Sequence, residues 1–126
     1  MGIFDIFKAT ENGHAVSSAE YDSIDAVAVQ TNLLVATEST DRQAAIRKLS
    51  VGSLVNLKPI KRKGQNIYVV TDCRNNAVVG EISYGTSDYL AQNYKSHKML
   101  GKVTEIGKLT PMGSGKQVRI EYKVYL

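Results

Sequence analysis

The stretch Gln117-Val118-Arg119-Ile120-Glu121-Tyr122-Lys123-Val124 decides the fold class. Val118, Ile120, Tyr122 and Val124 alternate without a break against Gln117, Arg119, Glu121 and Lys123. Successive side chains of a strand point to opposite faces, so a period of two predicts a β-strand with one face in a core and the other in water. Just upstream, Met112-Gly113-Ser114-Gly115 reads as a turn. Before it, Met99 to Leu109 predicts a second strand, with a bulge because Gly101, Val103 and Ile106 break strict alternation.

The same reading extends towards the N-terminus. Leu54 to Pro59, Ile67 to Thr71 and Ala77 to Ile82 are rich in β-forming residues and predict three strands. Lys61-Arg62-Lys63-Gly64-Gln65-Asn66 and Asn75-Asn76 predict the turns between them. Ala26 to Val29 and Leu33 to Val35 predict one long strand, or two with a bend near Asn32. Two helices interrupt the strands. Thr40 with Gln43 fits a capping box, Asp41 suits the positive end of the helix dipole, and Ala45, Ile46 and Leu49 share a face before Gly52. Thr86 or Ser87 caps the second helix, with Leu90, Ala91 and Tyr94 facing inward.

Short strands joined by tight turns favour an antiparallel sheet, and a small sheet removes its exposed edges by curling into a barrel. The expected fold is α+β and β-rich: a small antiparallel six-stranded barrel with two short helices. Residues 23–126 are assigned to that barrel. Residues 1–22 are assigned to an amphipathic N-terminal segment and connector, with Ile3, Phe4, Ile6 and Phe7 as an apolar cluster and Asn12-Gly13 as a turn.

At 126 residues, with 43% hydrophobic and 22% charged residues, the chain has the size and composition of one globular domain. It has one cysteine, Cys73, and so no internal disulfide. No run approaches the ~18 apolar residues of a membrane span. Asp5 interrupts the first apolar run, which lacks a basic residue before it, unlike a signal peptide. The expected address is cytoplasmic, without membrane association. Charge is uneven: residues 1–41 hold one basic residue and seven acids, whereas residues 42–126 hold fifteen basic residues and five acids. A basic body of this kind suits a polyanionic partner.

No catalytic constellation emerges. His14, His97 and Cys73 lack metal-ligand spacing, so neither a metal nor another cofactor is expected. Cys73, in Thr71-Asp72-Cys73-Arg74, reads as a half-buried strand-end residue, and Gly113-Ser114-Gly115-Lys116 lacks the upstream glycine and following hydroxyl of a P-loop. What remains is basic residues beside aromatics. Lys58, Lys61, Arg62 and Lys63 cluster around one hairpin, Tyr68 follows, and Tyr84, Tyr89, Tyr94, Lys95 and Lys98 lie on or beside the second helix. Single-stranded nucleic acid is bound by such basic grooves with stacking platforms. Lys61, Arg62 and Lys63 are the expected phosphate contacts, and Tyr68 and Tyr84 the expected stacking faces.

From Val27 onward the layout resembles the HIRAN domain, a family found alone in bacteria and appended to DNA-repair and remodelling helicases. Asp41 to Leu49 is similar to the bacterial members' Arg-Gln segment. Gly52-Ser53-Leu54-Val55-Asn56-Leu57 is similar to their glycine, gap and apolar strand. Ala77 to Ile82 resembles their strand ending in an apolar-Gly-x-apolar turn, and Thr86 to Tyr94 the helix after it. The resemblance implies a six-stranded modified OB-like barrel with two helices, and binding of single-stranded DNA, especially a free 3′ end. The chain departs from the family where Lys58 to Tyr68 is basic and has no Asp, where Leu33-Leu34 replaces an aromatic pair, and where Ser83-Tyr84 replaces basic residues.

The expectation is therefore a non-catalytic module that binds single-stranded nucleic acid. The alternative is a protein-interaction or self-association module, without nucleic-acid binding, acting through residues 1–8.

Overall fold

A computed structural model describes residues 17–108 and 115–126. The elements run α1 (Ser18–Asp22), β1 (Ala28–Leu33), α2 (Thr40–Ile46), β2 (Leu54–Arg62), β3 (Gln65–Asp72), β4 (Val78–Glu81), α3 (Tyr84–Asn93), β5 (Lys98–Lys108) and β6 (Lys116–Tyr125). The six strands form one antiparallel sheet in the order β1-β6-β5-β2-β3-β4. Just past β1, Val35 makes a two-way antiparallel bridge with Glu81 of β4, with both N–H···O distances at 2.9 Å. That bridge joins the two end strands and brings the sheet round into the expected barrel. Among the described residues three helices accompany it, where two were expected. Among the described residues no helix is long and apolar enough to cross a membrane.

The strand with perfect alternation forms as predicted. Val118, Ile120, Tyr122 and Val124 of β6 are each fully buried, and they join Val55, Val70, Val79, Leu90 and Val103 in a continuous core. β5 carries its bulge between Val103 and Glu105. Gly101 lies where a Cβ would come within 2.9 Å of Val55 Cγ2 and 3.2 Å of the Glu121 carbonyl, so β5 and β2 approach too closely there for a side chain.

The β2–β3 hairpin is longer and tighter than the sequence reading. Its turn is only Lys63-Gly64, with φ of 52° and 78°, and Arg62 pairs directly with Gln65. Two residues at positive φ suit the right-handed twist of a two-residue hairpin. Lys61, Arg62, Gln65 and Asn66 are therefore strand residues and not turn residues. Pro59 does not end β2. Its partner Tyr68 donates its N–H to Ser87 Oγ (3.1 Å) and accepts at its carbonyl from Ile82 N (2.9 Å), both directed away from β2. Pairing of β2 with β5 stops at Asn56. The missing N–H of Pro59 thus leaves no ladder bond unmade.

Helix starts also shift by a residue or more. Ser39, not Thr40, caps α2 by accepting from Arg42 N at 3.2 Å. Gln43 is buried and ties α2 to the chain on both sides: its Nε2 donates to the carbonyls of Thr37 and Lys116 at 2.9 Å each, and its Oε1 accepts from Lys116 N at 2.8 Å. Ser83 takes the N-cap position of α3, and Ser87 is buried inside the first turns.

Residues 17–22, assigned to the connector from sequence, form α1 and dock on the barrel. A full capping box between Ser17 and Glu20 starts the helix. Tyr21 is completely buried on the outer side of the sheet, and its hydroxyl donates to Glu121 Oε1 at 2.9 Å. The ammonium groups of Lys123 and Lys102 lie 4.6 and 5.1 Å from its ring centroid. Burial, helped by the Glu121 carboxylate, raises the phenol pKa well above its ordinary value. The apolar cluster Ile3-Phe4-Ile6-Phe7 and the turns at Asn12-Gly13 and Met112 to Ser114 lie outside the described residues.

Candidate nucleic-acid interface

The hairpin and α3 enclose a groove. Pro59, Ile60, Lys61, Asn66 and Tyr68 supply one wall and the floor, Ala91 and Lys95 the other wall, around a hollow of about 410 Å³. Its position follows from the register. Pro59 pairs with Tyr68 and Lys61 with Asn66, so these four share the face that continues the core beyond the last buried residues of β2. α3 packs on β3 and covers that face. Across the groove Asn66 Nδ2 contacts Asp88 Oδ1 at 3.4 Å, and Gln92 Nε2 holds the other Asp88 oxygen at 2.8 Å. Tyr84 lies one helical turn before Asp88, so it follows on the same stripe of α3. It is 51% exposed.

The five residues expected at the site separate. Lys61 is exposed and lines the groove. Lys63 is exposed at the turn tip. Arg62 points to the opposite face of the hairpin, because neighbours on a strand alternate. There its guanidinium makes a two-point contact with Glu81, Nη1 to Oε1 at 3.1 Å and Nη2 to Oε2 at 2.9 Å. Arg42 Nη1 reaches the same carboxylate at 3.0 Å and also donates to the Ala36 carbonyl at 2.7 Å. The Arg62 hydrogen bonds are the main reason that Glu81 ionises below its ordinary range, against the opposing effect of its burial. Arg62 is accordingly a structural cation that fastens the hairpin tip to β4 and α2. Tyr68 is corrected as well: it lies in the groove floor but is 3% exposed, with its ring in the core cluster, and it offers no free stacking face. Tyr84 keeps one.

Lys95 belongs to the site and was not selected from sequence. Its place just after a Tyr-bearing helix was visible, but only the packing of α3 against β3 puts it across from Lys61. Asn66 and Pro59 enter in the same way, through the hairpin register.

Cys73 shows the opposite of an activated nucleophile. Burial first, then the neighbouring Asp72 carboxylate, pushes its thiol up to about 12, so it is a neutral thiol near pH 7. Asp72 is itself held by the Arg74 side chain, Nη2 to Oδ2 at 2.8 Å. No group of three or more His, Cys, Asp or Glu among the described residues is placed to hold a metal ion. Comparison of the chain with protein-family models, curated proteins and solved structures finds no match.

Proposed function

We propose that this chain is a non-catalytic module that binds single-stranded nucleic acid, single-stranded DNA in the first instance, in the groove between the β2–β3 hairpin and α3. The observation that carries the reading is the placement of Lys61 and Lys95 on two walls of one hollow whose lining is otherwise Pro59, Ile60, Ala91, Asn66 and Tyr68. Two ammonium groups flanking an apolar floor suit a phosphate backbone whose bases lie on non-polar surface. Lys63 extends the positive charge to the hairpin tip, and Tyr84 offers a ring face beside the groove. The resemblance of residues 27–126 to the HIRAN family supports the same reading.

Fluorescence anisotropy with labelled single-stranded DNA, at about 50 and about 200 mM salt, tests it, because phosphate contacts make affinity fall steeply with salt. Salt-sensitive binding is expected. A preference for a free over a blocked 3′ end supports the family's end-binding mode, and indifference to the end leaves a general groove for single strands. Absence of binding at the lower salt overturns the proposal and leaves the interaction module, whose own test is a change in mass by light scattering when residues 1–16 are removed.

A further inference from the structure

The groove between the β2–β3 hairpin and α3 holds one charge of the wrong sign for a phosphate backbone. Asp88 stands at its hairpin end, where Asn66 meets α3, and Ala91 of the groove wall follows three residues later on the same stripe of the helix. The fold itself asks little of this carboxylate. It lies past the first turn of α3, which holds no acid, so it neither caps the helix nor sits at the positive end of its dipole. It takes part in none of the ion pairs among the described residues, although Lys61 is the cross-strand partner of Asn66. Gln92, one turn on, donates to Oδ2 at 2.8 Å and fixes the orientation of the carboxylate. Oδ1 receives only the 3.4 Å contact from Asn66 Nδ2, well beyond the ~2.9 Å of a good N–H···O bond. Each carboxylate oxygen can accept more than one hydrogen bond, so Oδ1 has room for a strong one. Among the described residues the Asn66 side chain makes no other hydrogen bond.

We propose that Asp88, together with Asn66, reads the base-pairing edge of one unpaired base in the groove, an inference that rests on the single-strand reading given above. The chemistry of the carboxylate selects the part of the ligand it can meet. It is acceptor-only and is repelled by phosphate, so it suits only a group that donates. Along a DNA strand the phosphates and internal sugars donate nothing. The donors are on the bases: N3–H of thymine, the N4 amine of cytosine, the N6 amine of adenine and N1–H of guanine. Each stands beside an acceptor on the same edge, and the Asn66 amide can donate to that neighbour while Asp88 Oδ1 accepts. The pair therefore tolerates any base whose edge is free. In a duplex those edges are engaged by the opposite strand, so the same two side chains turn paired DNA away. Lys61 and Lys95 on the walls hold the backbone while Asp88 holds a base, which gives the misfit charge its place.

Fluorescence anisotropy of the full chain at about 50 mM salt, with oligothymidylate and with the same oligomer built from N3-methylthymidine, tests this. The methyl group removes the sole N–H of thymine and leaves the phosphate charge and the ring faces in place. The parent is expected to bind the methylated oligomer at least about tenfold more weakly, the loss of one hydrogen bond to a charged group. Asp88→Ala is expected to lose that discrimination and to bind oligothymidylate more weakly than the parent, although it takes a negative charge out of the groove. Asp88→Asn, which keeps the shape and an acceptor oxygen, is expected to fall between the two. Equal affinity of the parent for both oligomers would overturn base reading and leave the groove as a site for phosphate alone. Unchanged or tighter binding of oligothymidylate by Asp88→Ala would show that Asp88 only repels the backbone, and would overturn it too. Failure of the parent to bind either oligomer would remove the groove reading and this inference together.

Discussion

β6 and β1 are neighbours in the same barrel and obey opposite rules. β6 buries Val118, Ile120, Tyr122 and Val124 and shows Arg119, Glu121 and Lys123 to the outside. β1, paired with it residue for residue, turns Gln30 and Asn32 inward and leaves Val29 and Leu33 outside. For β6 the core alone dictates the pattern. For β1 another demand acts. The buried Tyr122 hydroxyl requires an acceptor, and Asn32 Oδ1 supplies one at 2.7 Å. The outer side leaves Val29 and Leu33 exposed. Alternation in a sequence therefore reports a period, while the side that faces the core depends on what each neighbour needs.

The largest way to break the contrast is to truncate the two strands in turn. Ile120→Ala removes a fully buried side chain and is expected to cost about 3–4 kcal/mol in denaturant unfolding. Val29→Ala, on the exposed face, is expected to cost under about 1 kcal/mol. Near-equal losses would show that the outer face of β1 is packed as tightly as the core.

Next comes the junction where the chain beyond β1 meets β4. Glu81→Gln keeps the bridge to Val35 but removes the charge between Arg42 and Arg62, and about 2 kcal/mol is expected to be lost at pH 7. Because Glu81 ionises below its ordinary 4.5 when folded, its stabilising contribution is full above pH 4.5 and is lost as pH falls through the lower folded value. The stability gap between the parent and Glu81→Gln should therefore narrow on acidification below pH 4.5. A gap independent of pH would mean that the ion triad contributes nothing.

Smaller still is Tyr122→Phe, which takes from Asn32 its reason to face inward. A loss of about 1 kcal/mol is expected, and Asn32→Ala should cost almost nothing further in that background. Full additivity of the two substitutions would separate them.

The same contrast explains what the sequence disclosed. Clean alternation at 117–124 gave β6 its limits within a residue or so, and the Ala45-Ile46-Leu49 face gave α2. The six-stranded barrel followed from the spacing of strands and turns. The hairpin was drawn too short because Pro59 and a run of basic residues look like a strand end and a loop. Neither matters when the proline lies at an unpaired edge and Lys63-Gly64 alone makes the turn. Lys61 and Arg62 were indistinguishable as neighbours in a basic run. Only the register sends one to the groove and the other to Glu81. Tyr68 looked like a stacking platform because a strand tyrosine can face either way. Lys95 was out of reach because its partner wall is thirty-four positions earlier in the chain.

The measurement that tests the account most directly compares those adjacent cations through the salt dependence of single-stranded DNA affinity. Lys61→Ala combined with Lys95→Ala is predicted to flatten the log–log salt slope by about 1.4, at about 0.7 per lost phosphate contact. Arg62→Ala, which removes the same charge from the opposite face, is predicted to leave the slope unchanged while lowering stability. A slope untouched by the double lysine variant, or flattened as much by Arg62→Ala, would contradict the groove as the binding site.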